Sequence, residues 1–241
     1  MHAGHLDIVL PGNATSAVGY FRMNLFHAEV RAELSWANHA SVSLRALAPY
    51  GVPAALVLEV NYTGGVAPVV TYVAEESRST RGTLPDYKPN PSATSLLVQG
   101  VNTTVQTLLA GGDYAFGVQA ISRQPRATVY WMSIANDAPL NTSAATVAAT
   151  VRAVSAAGLD ATVATHRTAW ATLYPASFLS VGQGVPLSTA LEGFYWIQQY
   201  KLASAIRPGG PALDLMGPWF QPSGWLFYWM DLNGQLVIRD D

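Results

Sequence analysis

The sequence predicts a mainly β protein with C-terminal helices: an antiparallel β-sandwich, then a helical linker, then a truncated helical layer. Three observations carry this. Ala28 to Trp36 alternates apolar at even positions and polar at odd ones, the period of a strand with one buried face. Short runs of this kind, separated by turn residues, fill the chain as far as Ala135 with no helical period between them. After Asn141 the period changes, and alanine-rich segments with caps and breakers take over.

Taken in order, Ser41-Val42-Ser43-Leu44-Arg45-Ala46 repeats the alternation. Leu56, Leu58, Val60 and Tyr62 line one face of a third strand, and Tyr114, Phe116, Val118 and Ala120 line another. Arg126 to Ile134 is rich in the β-branched and aromatic residues that fit a pleated, half-buried surface. Pro49-Tyr50-Gly51, Gly64-Gly65 and Gly111-Gly112-Asp113 supply the turns. Residues 75–95 are the most polar stretch and predict a long loop. The sandwich is expected over 1–138.

The linker is expected over 139–185. Asn141-Thr142-Ser143 caps a helix from Ala144 to Ala157, closed by Gly158. Asp160 caps a second helix that runs to Tyr174 and stops at Pro175, and Ser177 to Val181 is extended. The last part, 186–241, opens on Thr189 and Glu192, a Thr followed three residues later by Glu before an apolar run. That spacing is a capping box, in which each side chain satisfies a free amide of the first turn. The helix then runs from Gly193 to Arg207, and Pro208-Gly209-Gly210 ends it. Aromatic rings crowd this part of the chain, from Phe194 to Trp229. At about 150–250 Å² of burial each, most must pack on the chain itself, on a second copy or on a ligand.

Composition removes several classes. The formal charge of −2 lacks the cationic surface that nucleic acid requires. With no cysteine, disulfides, thiolate nucleophiles and zinc–thiolate sites are excluded. No stretch of about 18 apolar residues is free of Pro, Gly and charge, so no membrane span is predicted. No cofactor or metal is expected: no phosphate-cradling loop is present, and His2 and His5 lie on a terminus. No secretory signal opens the sequence, which leaves bacterial cytoplasm and periplasm both open. Only 12% of residues are charged, a lean surface that suits self-association, and a homodimer is expected.

His166, Trp170, Phe178-Leu179-Ser180, Phe194-Tyr195-Trp196-Ile197-Gln198, Tyr200-Lys201-Leu202-Ala203-Ser204 and Asp214-Leu215-Met216-Gly217-Pro218-Trp219 together resemble bacterial glycoside hydrolases related to the family 95 α-L-fucosidases. Tyr20 to Ala28 is similar to the Tyr-x-Arg-x-Leu/Asp-Leu-x-x-Ala pattern of their sandwich. The resemblance implies an N-terminal β-sandwich, a helical linker and the start of an (α/α)6 barrel, with oligo- or polysaccharide as substrate. In that family an Asn-x-Asn pair near the start of the barrel holds the attacking water. Asp231-Leu232-Asn233 matches the pair with Asp in place of its first Asn.

Glycosidic hydrolysis needs two carboxyl groups flanking the bond. Within the aromatic stretch Glu192, Asp214 and Asp231 are available. A carboxyl among tryptophan rings has its pKa raised by desolvation, as a general acid requires. The functional reading pairs Asp214 with Asp231, has Asn233 orient water, and stacks sugar on Trp219, Trp225 and Trp229, with Glu192 and His166 as further candidates. The plainer reading makes Glu192 a cap, Asp214 a turn residue, His166 a helix histidine bonded to a backbone carbonyl, and the tryptophans core. A carbohydrate-binding or scaffold module that dimerises through its aromatic segment is the alternative to an enzyme.

Overall fold

A computed structural model of the chain describes residues 4–10, 17–36, 40–64, 67–76, 88–138, 140–182 and 186–206. Among them are ten strands: β1 (Gly4–Val9), β2 (Val18–Asn24), β3 (Glu29–Trp36), β4 (Ala40–Leu47), β5 (Ala55–Thr63), β6 (Val69–Ala74), β7 (Thr94–Val98), β8 (Val101–Thr107), β9 (Asp113–Gln124) and β10 (Ala127–Asp137). Three helices follow: α1 (Ser143–Ala157), α2 (Leu159–Ala176) and α3 (Pro186–Ala205). No single described helix is long and apolar enough to cross a membrane. The chain divides into two compact units, Met1–Ser79 with Lys88–Thr172, and Thr80–Tyr87 with Leu173–Asp241.

In the first unit, eight strands form one antiparallel sheet in the order β2-β3-β4-β5-β10-β9-β8-β7. It is two four-strand meanders, each joined by short connections, that meet where β5 pairs with β10. β1 and β6 pair antiparallel as a separate two-stranded ribbon. The ribbon packs on one face of the large sheet, where Leu6, Ile8 and Val70 meet a cluster built on Val42, Leu58, Val60 and Met132. The opposite face carries α1, whose Val147, Ala148, Val151 and Val154 lie at helical spacing against Val101, Ala115, Val129 and Trp131. Strand β10 is therefore covered on both faces, which accounts for its nearly unbroken apolar run.

The contact between α1 and the sheet depends on one missing side chain. A Cβ on Gly117 of β9 would lie 2.3 Å from Cγ1 of Val147 and 3.0 Å from Cγ1 of Val101. Gly117→Ala is expected to cost about 1–3 kcal/mol as an overpacked core position. The check is denaturant unfolding, with a lower midpoint at unchanged slope. An unchanged midpoint would show that α1 can stand off without loss.

Several boundaries differ from the sequence-based expectation. In β3 the alternation holds at Ala32, but Glu29 is fully buried and Val30 is 38% exposed. Glu29 faces the helical side of the sheet, where α2 supplies its partners. At this end the ribbon side leaves Phe21, Met23 and Val30 exposed. Thr142 is the N-cap of α1 but makes no side-chain cap bond; its hydroxyl donates to Asp137 instead. The first amide is satisfied from a distance: Ser143 N–H donates to Asp113 Oδ1 at 3.2 Å, and Ser143 Oγ donates to the Asp113 carbonyl at 3.1 Å. Gly158 closes α1 at φ 81°, as expected. Asp160 lies in the first turn of α2 and pairs with Arg123 at 2.9 Å, while Pro175 sits inside the last turn. α3 begins at Pro186, where the missing amide is one that would lack a helical partner anyway. Thr189 and Glu192 therefore lie within the helix and not at its cap.

Candidate functional site

Of the residues proposed from sequence, Asp214, Asp231, Asn233, Trp219, Trp225 and Trp229 lie outside the described residues. Glu192 and His166 lie within them, in different units. In the second unit the Glu192 carboxylate accepts a hydrogen bond from Val181 N–H at 2.8 Å, which ties α3 to the extended segment before it. Among the described residues of this unit, aromatic side chains meet close neighbours. Trp196 meets Tyr174 edge-on at 5.5 Å, and the Tyr195 hydroxyl bonds to Ser177 and Gln199. Burial and the neighbouring Tyr200 push the Tyr174 hydroxyl up to about 12, so it is a neutral hydrogen-bonding group at ordinary pH.

His166 is 1% exposed, on the face of α2 that also carries Leu159, Val163 and Trp170. Its Nδ1 accepts from Tyr50 N–H at 3.1 Å, and an amide can only donate. The ring proton is therefore on Nε2, which donates to the His27 carbonyl at 2.8 Å. One histidine thus ties α2 to the β2–β3 turn and to the turn after β4, the helix-histidine geometry of the plainer reading. Beside it, Arg167 Nη2 donates to Glu29 Oε2 at 2.9 Å, Arg167 Nε bonds to Oε1, and Arg31 Nη2 reaches Oε2 at 3.0 Å. Burial by itself would raise the Glu29 pKa; the bonds from Arg167 and Arg31 outweigh it and hold the group at about 2. Both oxygens of Glu29 and both ring nitrogens of His166 therefore have protein partners.

Further along the sheet, the ion pairs lie nearer the surface. Arg45 and Glu59, directly opposite across β4 and β5, meet at 2.7 Å, and Arg123 lies 3.9 Å from Glu59. On the ribbon, His5 bonds to Glu75 at 2.8 Å and lies 3.4 Å from Asp7. Among the described residues no group of three or more His, Cys, Asp or Glu is placed to hold a metal ion.

A cavity of about 590 Å³ lies between the ribbon and the β7–β10 half of the large sheet, within the range of small-ligand sites. Its floor follows the cross-strand pairs Tyr130–Ala120, Val118–Asn102, Asn102–Leu97 and Thr104–Ser95. The wall is Leu6, Val70, Thr71 and Tyr72 of the ribbon. Tyr72 stacks on Phe116 with ring centres 4.0 Å apart, and its hydroxyl is bonded to Tyr114. Burial raises the pKa of the Tyr72, Tyr114 and Tyr130 hydroxyls, which keeps them neutral. No Asp, Glu, Lys, Arg or His lines the cavity among the described residues. The alternation of β9 and β10 marks which residues share this face. Nothing in the sequence marks that β1 and β6, widely separated along the chain, pair and roof it.

No protein-family model matches the chain, and no curated protein sequence matches it. Among solved structures the chain is similar to one described as a candidate kojibiose phosphorylase from the human microbiome, with a TM-score of 0.51 and 7% identity. The match covers 72% of this chain and 25% of that one, so the chain spans about a quarter of the length of its structural neighbour. At this identity the likeness is one of fold. The shared fold is a β-sandwich followed by helices, and the likeness does not single out the family 95 fucosidases.

Proposed function

We propose that the chain is carbohydrate-active and that its chemistry is cleavage of a glycosidic bond by carboxyl groups of the 207–241 segment. The observation that carries this reading is the fold likeness to a protein described as a disaccharide phosphorylase. The residues of 166–236 that resemble glycoside hydrolases add to it. In this reading Asp214 and Asp231 supply acid and base, Asn233 orients the attacking group, and the tryptophans hold sugar rings. Hydrolysis uses water as the attacking group; phosphorolysis, as the neighbour's description names it, would use inorganic phosphate.

The test is release of nitrophenol and free sugar from a panel of nitrophenyl glycosides and neutral disaccharides, with and without inorganic phosphate. Turnover by the full chain is expected, and Asp214→Asn or Asp231→Asn should lower it about 10²–10⁴-fold, the usual worth of a general acid or base. Phosphate-dependent formation of a sugar phosphate would identify phosphorolysis. Turnover that survives both substitutions would remove the assignment of these carboxyl groups. A chain inactive throughout the panel would favour the binding-module alternative, which the uncharged lining of the cavity also favours.

A further inference from the structure

The cavity between ribbon and sheet has a lining whose chemistry selects its ligand. It combines a flat ring, hydrogen-bonding groups and aliphatic walls, with no formal charge of either sign among the described residues. An ionic ligand would lose its hydration there without an opposite charge to replace it, and that loss is costly. A purely apolar ligand would instead strand the amide and hydroxyls of the floor.

Two polar groups of the floor are available. The half-buried Tyr130 hydroxyl and the Asn102 side-chain amide, which lies on the exposed part of β8, make no hydrogen bond to another described residue. Among the other hydroxyls, Thr103 donates to the Val101 carbonyl at 3.2 Å, Thr104 bonds to Ser95 at 3.3 Å and Tyr72 to Tyr114, while the exposed Thr71 of the ribbon adds a further hydroxyl on the wall. Beside Tyr130 on the floor is Ala120, its direct cross-strand neighbour, and the small side chain leaves open space next to the ring. Asn102 lies on the next strand, beside Val118. The exposed Leu96 and Leu97 of β7 line the cavity on the far side.

We propose that this inter-sheet cleft is a binding site for a neutral oligosaccharide, held without being cleaved. A pyranose ring lies over Ala120 with its C–H face against Tyr130, since axial C–H groups present a weakly positive, apolar face to the negative face of the aromatic ring. Its hydroxyls bond to the Tyr130 hydroxyl and to the amide of Asn102, which both donates and accepts. With no carboxyl group among its described lining residues, the site draws no acid or base for glycoside chemistry from its lining. It is therefore an ancillary site that keeps a polymeric substrate near the molecule. The inference shares the carbohydrate class of the function proposed above but does not require catalysis, and its test reads binding alone.

The experiment is ligand-observed saturation-transfer NMR on the full chain, both the parent and a Trp219→Ala/Trp225→Ala/Trp229→Ala background. That background lacks the rings assigned to sugar in the function proposed above, and the cleft variants are read in it. The probes are cellohexaose, maltohexaose, xylohexaose and mannohexaose, with the acidic hexagalacturonate as the charged comparison. At least one neutral hexasaccharide is expected to show transfer, with none to hexagalacturonate. Transfer should persist in the triple tryptophan background, where Tyr130→Ala should weaken binding at least 10-fold and Asn102→Ala about 5-fold. Ala120→Leu, which fills the space beside the ring at an exposed position, is the second variant should Tyr130→Ala not fold; it should also abolish transfer. No transfer to any neutral probe, transfer to the acidic one, or binding that persists in Ala120→Leu would overturn the assignment. Loss of all transfer in the triple tryptophan background, with the circular dichroism of the parent retained, would overturn it too, because the sugar would then be held by the 207–241 segment. Absence of glycoside turnover alone leaves the NMR result as it stands, so the two proposals fail separately.

Discussion

Replacing Arg167 by alanine is expected to destabilise the β body by about 3–5 kcal/mol, the cost of leaving a buried carboxylate without its main partner. Glu29 is fully buried, and both of its oxygens are bonded by Arg167. Arg31 would remain, but its side chain is 46% exposed and reaches only Oε2. Denaturant unfolding of Arg167→Ala should show a lower midpoint, and adding Glu29→Gln to it should recover part of the loss by removing the stranded charge. A single variant within about 1 kcal/mol of the parent, the level of an ordinary surface ion pair, would mean that Arg31 and water suffice. The same node sets an acid limb. The Glu29 pKa falls from an ordinary 4.5 to about 2 in the folded state. The unfolded chain therefore binds this proton first as pH drops. The contribution, on the order of 3 kcal/mol, is complete above about pH 4.5 and is lost as the pH falls through 2. Glu29→Gln should flatten stability against pH in that window and leave the rest of the profile unchanged.

Trp170→Ala is expected to cost about 3–5 kcal/mol, as large-to-small changes at buried aromatics do. Trp170 is 0% exposed, with the ring of Tyr50 edge-on at 6.2 Å and that of His166 tilted at 6.2 Å. Its ring and the His166 hydrogen bonds hold α2 to the turn after β4. The pair should therefore be coupled: with His166→Leu, the double variant is expected to depart from additivity by about 0.5–3 kcal/mol. Strict additivity would show that the two residues act on separate parts of the fold.

Sequence alone determined the fold class and most of the elements, because side-chain period is a local property. Alternation in β3, β4 and β5 and the apolar run of β10 record which residues share a face, and Gly158 records where α1 must stop. What it could not determine is which face meets which layer. Glu29 falls at a polar position of a regular alternation, which by itself sends it to solvent. It is buried because α2, a helix that begins only at Leu159, brings Arg167 onto that face. The caps show the same limit: Asp113 satisfies the start of α1 from another strand, and Glu192 bonds to Val181 in place of its own helix end. The inter-sheet cleft exists only because β1 and β6 pair across a long intervening stretch of chain and lie on the large sheet. Periodicity is written residue by residue, whereas partners distant along the chain are chosen by packing, and packing is a property of the assembled layers.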